Sequence, residues 1–170
     1  MAYERMQPPV SSPSSAGVSP RTGTTPTTSE GTGRISEEEP IRVLIADDDP
    51  VVRTLLQGMI SGEPGLELVA TAEDTHQAVE LAERHQPDVA VLDWMMPGGG
   101  GSTAAIQIGN RSPSTKVVAL TVSDSQEASY DMMRAGASAF VQKGGSKEDL
   151  VEAIQSAMRY GQRGKPGRRP

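Results

Sequence analysis

The chain has 170 residues, 35 % of them hydrophobic, a formal net charge of −6 and no cysteine. That length gives room for one ordinary domain with residues to spare, and the missing cysteine excludes a disulfide framework, a thiolate metal site and a thiol nucleophile. No apolar run approaches the roughly 20 residues that span a bilayer, and residues 1–10 lack the apolar centre of a secretory signal, so a cytoplasmic protein is expected.

Residues 1–39 are dominated by Ser, Thr, Pro and Gly, as in SSPSSAGVSP and RTGTTPTTSEGTG. Too few aliphatic side chains lie there to offset the entropy cost of folding, so the stretch is expected to be a disordered leader. From residue 40 the pattern changes. A β-branched run at 42–46 (RVLIA) predicts a strand, and 50–61 opens with Pro after Asp, a good helix start. A second strand is predicted at 66–70, then a helix at 74–85 with Ala78, Val79, Leu81 and Ala82 on one face, ending before Pro87. The run VAVL at 89–92 predicts the third strand, and 102–110 a weak helix rich in Ala and Ile. KVVAL at 116–120 predicts the fourth strand, followed by a helix at 124–135 with an Asp cap and Gly136 beyond it. The fifth strand is predicted at 138–142, and the last helix at 146–160 begins with a Ser cap and Asp at its third position. Residues 161–170 form a second flexible end, basic in character. Strands that are nearly continuous apolar runs, alternating with amphipathic helices, predict a (βα)₅ parallel sheet wound on both sides across residues 40–160.

In such sheets the chemistry collects at the carboxyl ends of the strands. The first predicted strand runs into Asp47, Asp48 and Asp49, the third into Asp93, the fourth into Thr121 and the fifth into Lys143. Several carboxylates converging at one rim repel one another unless a cation sits among them, and all-oxygen ligands suit Mg²⁺. A lysine supplies a compact charge for an anionic oxygen and a threonine one hydroxyl donor. Carboxylate, divalent cation, ammonium and hydroxyl together suit phosphoryl transfer onto an aspartate. Residues 40–158 hold eight basic against seventeen acidic residues. That imbalance repels nucleic acid, so no direct nucleic-acid binding is expected.

The stretches VLIADDDP, VLDWMMPGGGG, ALTV and AFVQKG, in this order and spacing, resemble the signature stretches of response-regulator receiver domains over residues 41–160. The last helix is similar to that of receivers preceding a helix-turn-helix output domain. The resemblance implies a flavodoxin-like fold and a phosphorelay function. It implies Asp93 as the phosphoacceptor, Asp48 as the principal Mg²⁺ ligand and Asp47 as its acidic neighbour, acting directly or through water. The backbone carbonyl of Met95 would be a third metal ligand. Lys143 would pair with the phosphoryl group, Thr121 would be the switch hydroxyl and Phe140 the switch aromatic. Implied partners are a sensor histidine kinase or histidine phosphotransfer protein, with homodimer formation as one use of the switched face and no membrane partner. The domain is expected not to be an enzyme beyond Mg²⁺-dependent self-phosphorylation and autodephosphorylation.

Blander readings stand beside these. Asp49 reads as a helix cap, Phe140 equally as core packing, His76 and His85 as surface residues, and Met95, Met96, Met132 and Met133 as packing. Three features depart from the family pattern: Val122 follows Thr121 where a small residue is usual, Gly98–Gly101 is a run of four glycines, and Gly144 follows the lysine in place of proline. The glycine run is expected to be mobile. Two other readings remain open: a receiver-fold scaffold that is never phosphorylated, and a haloacid dehalogenase-like phosphatase starting from D-D-D-P-V. The latter leaves Asp93 idle and lacks a further acidic pair at a strand end. Residues 161–170 are too few for a helix-turn-helix module, so the expectation is a single-domain regulator or a receiver cut at its linker.

Overall fold

In the computed structural model, residues 39–122 and 126–161 are described. Five strands alternate with five helices in the order β1 (Ile41–Ala46), α1 (Pro50–Ser61), β2 (Leu66–Ala72), α2 (Thr75–His85), β3 (Val89–Asp93), α3 (Gly100–Arg111), β4 (Lys116–Thr121), α4 (Gln126–Arg134), β5 (Ala137–Gln142) and α5 (Lys147–Gly161). All neighbouring strands are parallel, and the sheet order is β2-β1-β3-β4-β5. Each predicted element is present, with ends that move by two residues at most. The cap expected at Asp124 lies outside the described residues.

Strand alternation divides the core between two faces. Val43, Ile45, Val89, Val91, Val118 and Leu120 pack with Leu56 and Ile60 of α1 and Leu150 and Ile154 of α5. Leu44, Ala46, Ala90 and Leu92 pack the other way, onto Ala78, Val79 and Ala82 of α2 and Ala104, Ala105 and Ile108 of α3. Burial on both faces explains why the strands read as unbroken apolar runs.

Helix starts follow their caps. Asp49 accepts from the Val51 amide, and Asp74 from the Gln77 amide, each at 2.8 Å. At α5 the Asp149 amide donates to Ser146 Oγ at 3.2 Å while Asp149 Oδ2 accepts from the Ser146 amide at 3.1 Å, a reciprocal pair. α3 starts earlier than its composition suggests, at Gly100, inside the glycine run.

Two expectations about packing are corrected. Met96 and Met132 are buried, but their neighbours Met95 and Met133 are 76 % and 64 % exposed, because adjacent residues point to different sides of a loop or helix. Phe140 does not pack in the core. It alternates with buried Val141 along β5 and is 49 % exposed.

The chain winds from β1 outward to β2, then crosses back so that β3 lies on the other side of β1. The carboxyl ends of β1 and β3 therefore flank a topological switch point, where open parallel sheets leave a crevice.

Candidate functional site

That crevice gathers four of the side chains singled out from the sequence. Asp47 follows β1, Asp93 ends β3, Thr121 ends β4 and Lys143 follows β5. Asp47, Asp93 and Thr121 are buried. Lys143 extends across the rim: its Nζ donates to Asp93 Oδ2 at 3.0 Å and to Asp47 Oδ1 at 3.1 Å. Asp47 Oδ2 is also 2.9 Å from the ammonium, but the angles there do not make a hydrogen bond, so that buried oxygen has a charge contact and no donor.

The backbone fixes these groups in place. Lys143 N–H donates to the Thr121 carbonyl at 2.7 Å, continuing the β4–β5 ladder by one residue and aiming the lysine at the crevice. Asp47 Oδ1 accepts from the Asp49 amide at 2.9 Å, and Asp93 Oδ1 from the Met95 amide at 3.1 Å. Each carboxylate thus closes a small ring with the loop that follows it.

Electrostatics follow from burial. Loss of solvent pushes the Asp47 carboxyl above the usual carboxylate range, against the opposing hydrogen bonds from Lys143 and the Asp49 amide. Burial pulls Lys143 down, but hydrogen bonds and charge from Asp47 and Asp93 outweigh it, and the ammonium is held above its ordinary value. Lys143 therefore remains charged between the two acids.

Asp48 is exposed beside this pair. Asp47, Asp48 and Asp93 each place one carboxylate oxygen within 4.8 Å of the others. Three hard oxygens gathered this closely fit an oxygen-coordinated divalent cation such as Mg²⁺. Asp49 turns away to cap α1.

Phe140 does not join the cluster. It shares an open groove with Thr121, bounded by Gln142 and by Asp149, Glu152 and Ser156 of α5. Val122, just after β4, is 70 % exposed. Gly144 takes φ 86°, which proline cannot adopt, so this turn is built differently from one with proline after the lysine.

Sequence reasoning missed two residues that hold the rim, Arg53 and Thr75, and placed Gly101 in the loop after Asp93 without its close contact. Arg53 of α1 donates to the Asp47 main-chain carbonyl at 2.6 Å. Thr75, buried at the start of α2, donates its hydroxyl to the Gly100 carbonyl at 3.2 Å and its amide to the Pro97 carbonyl at 3.1 Å. Gly101 lies so close to the chain it follows that a Cβ there would stand 2.7 Å from the Asp93 carbonyl oxygen. All three act on backbone carbonyls, which leave no side-chain signature.

Comparison with known proteins shows the family. The family model of the response regulator receiver domain matches residues 43–155. The chain is 36 % identical over 122 residues to the uncharacterized transcriptional regulatory protein YxjL of Bacillus subtilis, covering 72 % of this chain and 56 % of that protein. It is 33 % identical over 123 residues to the nitrate/nitrite response regulator protein NarL of Escherichia coli K12, covering 72 % and 57 %. The chain therefore spans little more than half the length of these curated relatives. Among solved structures, the signal receiver domain of NarL from Mycobacterium tuberculosis superposes with a TM-score of 0.68 at 30 % identity, covering 71 % of this chain and 98 % of that one.

Proposed function

The chain belongs to the response regulator receiver domain family, and from that membership we propose that Asp93 is its phosphoacceptor, charged by a sensor histidine kinase or a histidine phosphotransfer protein of a two-component relay. The observation that carries the reading is Lys143 bridging Asp47 and Asp93 at the β1–β3 crevice.

Asp48, Asp93 and the Met95 carbonyl would hold Mg²⁺, with Asp47 acting directly or through a water. When bound, the ion supplies positive charge that shields the carboxylates from the incoming phosphoryl group and steadies its oxygens. An Asp93 carboxylate oxygen attacks phosphorus, the P–N bond to the donor histidine breaks, and the electron pair leaves with the imidazole, which takes up a proton. Lys143 has three donors on one ammonium, so it can pass from Asp93 Oδ2 to a phosphoryl oxygen without leaving the crevice. Thr121 donates to another of those oxygens. Water attack on the acyl phosphate later restores Asp93, and the domain turns over nothing else.

The added charge and acceptor oxygens draw Thr121 toward Asp93, and Phe140 moves into the space this leaves. The surface so altered is α4, β5 and α5. Its exposed apolar residues Tyr130, Met133 and Phe140 suit a partner or a second copy of the chain. The name of one relative, a transcriptional regulatory protein, suggests regulation of transcription as the output this face serves.

Acetyl phosphate with Mg²⁺ tests the reading by intact mass. The full chain should gain one phosphoryl increment that decays on standing, as acyl phosphates do, and Asp93→Asn should gain none. A base-stable increment that persists in Asp93→Asn overturns it.

A further inference from the structure

The Arg53 side chain is only 18 % exposed, and both arms of its guanidinium are engaged. Nη1 donates to the Asp47 carbonyl at 2.6 Å, and Nη2 lies 3.6 Å from Glu73 Oε2 in the β2–α2 loop. Glu73 is itself held: Gln77 Nε2 donates to its Oε1 at 3.1 Å, and the Glu73 amide donates to Gln77 Oε1 at 3.4 Å. The guanidinium thus ties the β1–α1 loop to the β2–α2 loop in a way its planar fork permits and a single ammonium does not.

The carbonyl Arg53 grips belongs to the peptide joining Asp47 to Asp48. That peptide is planar, so fixing the direction of its C=O also fixes the amide nitrogen and Cα of Asp48 on its other side. The Asp47 carboxylate is anchored separately, by the Asp49 amide and Lys143. Asp48 is exposed, and what sets the origin of its side chain is the orientation of this peptide. The charge of Arg53 acts in the opposite sense, because a guanidinium beside an acidic cluster opposes the approach of a cation.

We propose that Arg53 is a positioning residue for divalent-cation binding, its fork setting the Asp47–Asp48 peptide so that Asp48 presents its carboxylate to the same point as Asp47 and Asp93. This inference rests on the proposed metal role of those three carboxylates.

The two opposing effects make the test decisive in sign. Mg²⁺ is titrated into the full chain while the fluorescence of Trp94, its one tryptophan, is followed, and thermal midpoints are recorded without Mg²⁺. Arg53→Gln keeps part of the stem and removes the charge. If charge alone mattered it would bind Mg²⁺ more tightly, whereas loss of positioning should weaken binding about tenfold, the low end for removing a group that orients a ligand. Arg53→Lys, which keeps the charge and loses the fork, should bind Mg²⁺ at least as weakly as Arg53→Gln. Unchanged or tighter binding by Arg53→Gln overturns the inference. If Arg53→Gln gives no cooperative melt, Arg53→Lys carries the test: weaker binding supports the proposal and wild-type affinity overturns it. A wild type that does not respond to Mg²⁺ overturns the metal reading and this inference together, while a responding wild type matched by the Arg53 variants overturns the inference alone.

Discussion

Two loops bring carboxylates to the crevice, and they are fixed by opposite means. The β1–α1 loop carries Asp47, Asp48 and Asp49 and is held by what its side chains do: Asp47 takes the Asp49 amide and Lys143, and Asp49 caps α1. The β3–α3 loop, after Asp93, is held by what its residues lack. Gly98, Gly99 and Gly100 have φ values of 89°, 111° and 74°, and Gly101 packs against the Asp93 carbonyl and the Trp94 ring. A loop of charges and a loop of glycines thus reach the same end, one by directed hydrogen bonds and the other by close approach. The difference implies that stability is sensitive to added atoms in the second loop and nearly indifferent to removed charge at the exposed tip of the first.

The largest expected effect sharpens that contrast at Gly101. Its Cβ would meet three atoms under 3.0 Å: the Asp93 carbonyl oxygen at 2.7 Å, Trp94 Cε3 at 2.8 Å and Trp94 Cα at 2.9 Å. Two of these belong to backbone and cannot swing aside. Gly101→Ala should cost about 2–3 kcal/mol, the upper part of the range for overpacking, read from denaturant melts without metal. A loss under half of that would mean the loop yields, and the expectation from composition that the glycines confer mobility would then stand. As built, Gly98, Gly99 and Gly100 supply the positive φ values that the turn requires.

Thr75 is the next test, because it is the pin that couples the glycine loop to α2. Thr75→Val keeps the volume but removes the hydroxyl from the Gly100 carbonyl, so it should cost about 1 kcal/mol, as expected for one hydrogen bond lost at a half-buried carbonyl. An unchanged melt would show that the Thr75 amide on the Pro97 carbonyl suffices.

Such pins mark where the sequence stops being readable. Asp47, Asp93, Thr121 and Lys143 were legible because each ends an apolar run, and a polar group in that position on a parallel strand has few bland explanations. Asp49 and Ser146 were legible because capping is local: donor and acceptor lie within three residues. Thr75 and Gly100 are 25 residues apart, and the acceptor is a carbonyl that every residue possesses. Arg53 lies only six residues from Asp47, but a basic residue on an amphipathic helix gives no sign that it turns back onto the preceding loop. Phe140 shows the same boundary from the other side. Its place on β5 was readable, but its outward orientation depends on register, which a short strand of small residues leaves weakly marked.

The smallest stability effect belongs to Asp48, and it asks most directly whether the charged loop differs from the glycine loop. Asp48 is exposed, while its neighbour Asp47 is buried and carries the contacts to Lys143 and the Asp49 amide. Removing the Asp48 carboxylate leaves those contacts in place and relieves repulsion within a cluster whose oxygens lie within 4.8 Å of one another. The melting free energy of Asp48→Ala should stay within about 0.5 kcal/mol of wild type, as for surface changes away from packed features. The cation response should behave differently. If Asp48 is the principal ligand, the Mg²⁺-dependent change in Trp94 fluorescence should vanish in the same variant whose fold is untouched. A large loss of stability in Asp48→Ala would break the comparison, since the two loops would then be equally structural. A preserved titration would leave the loops distinct and move the metal site toward Asp47 and Asp93. Stability and metal binding measured on this one variant thus separate a residue that holds the crevice together from one that the crevice holds out for a ligand.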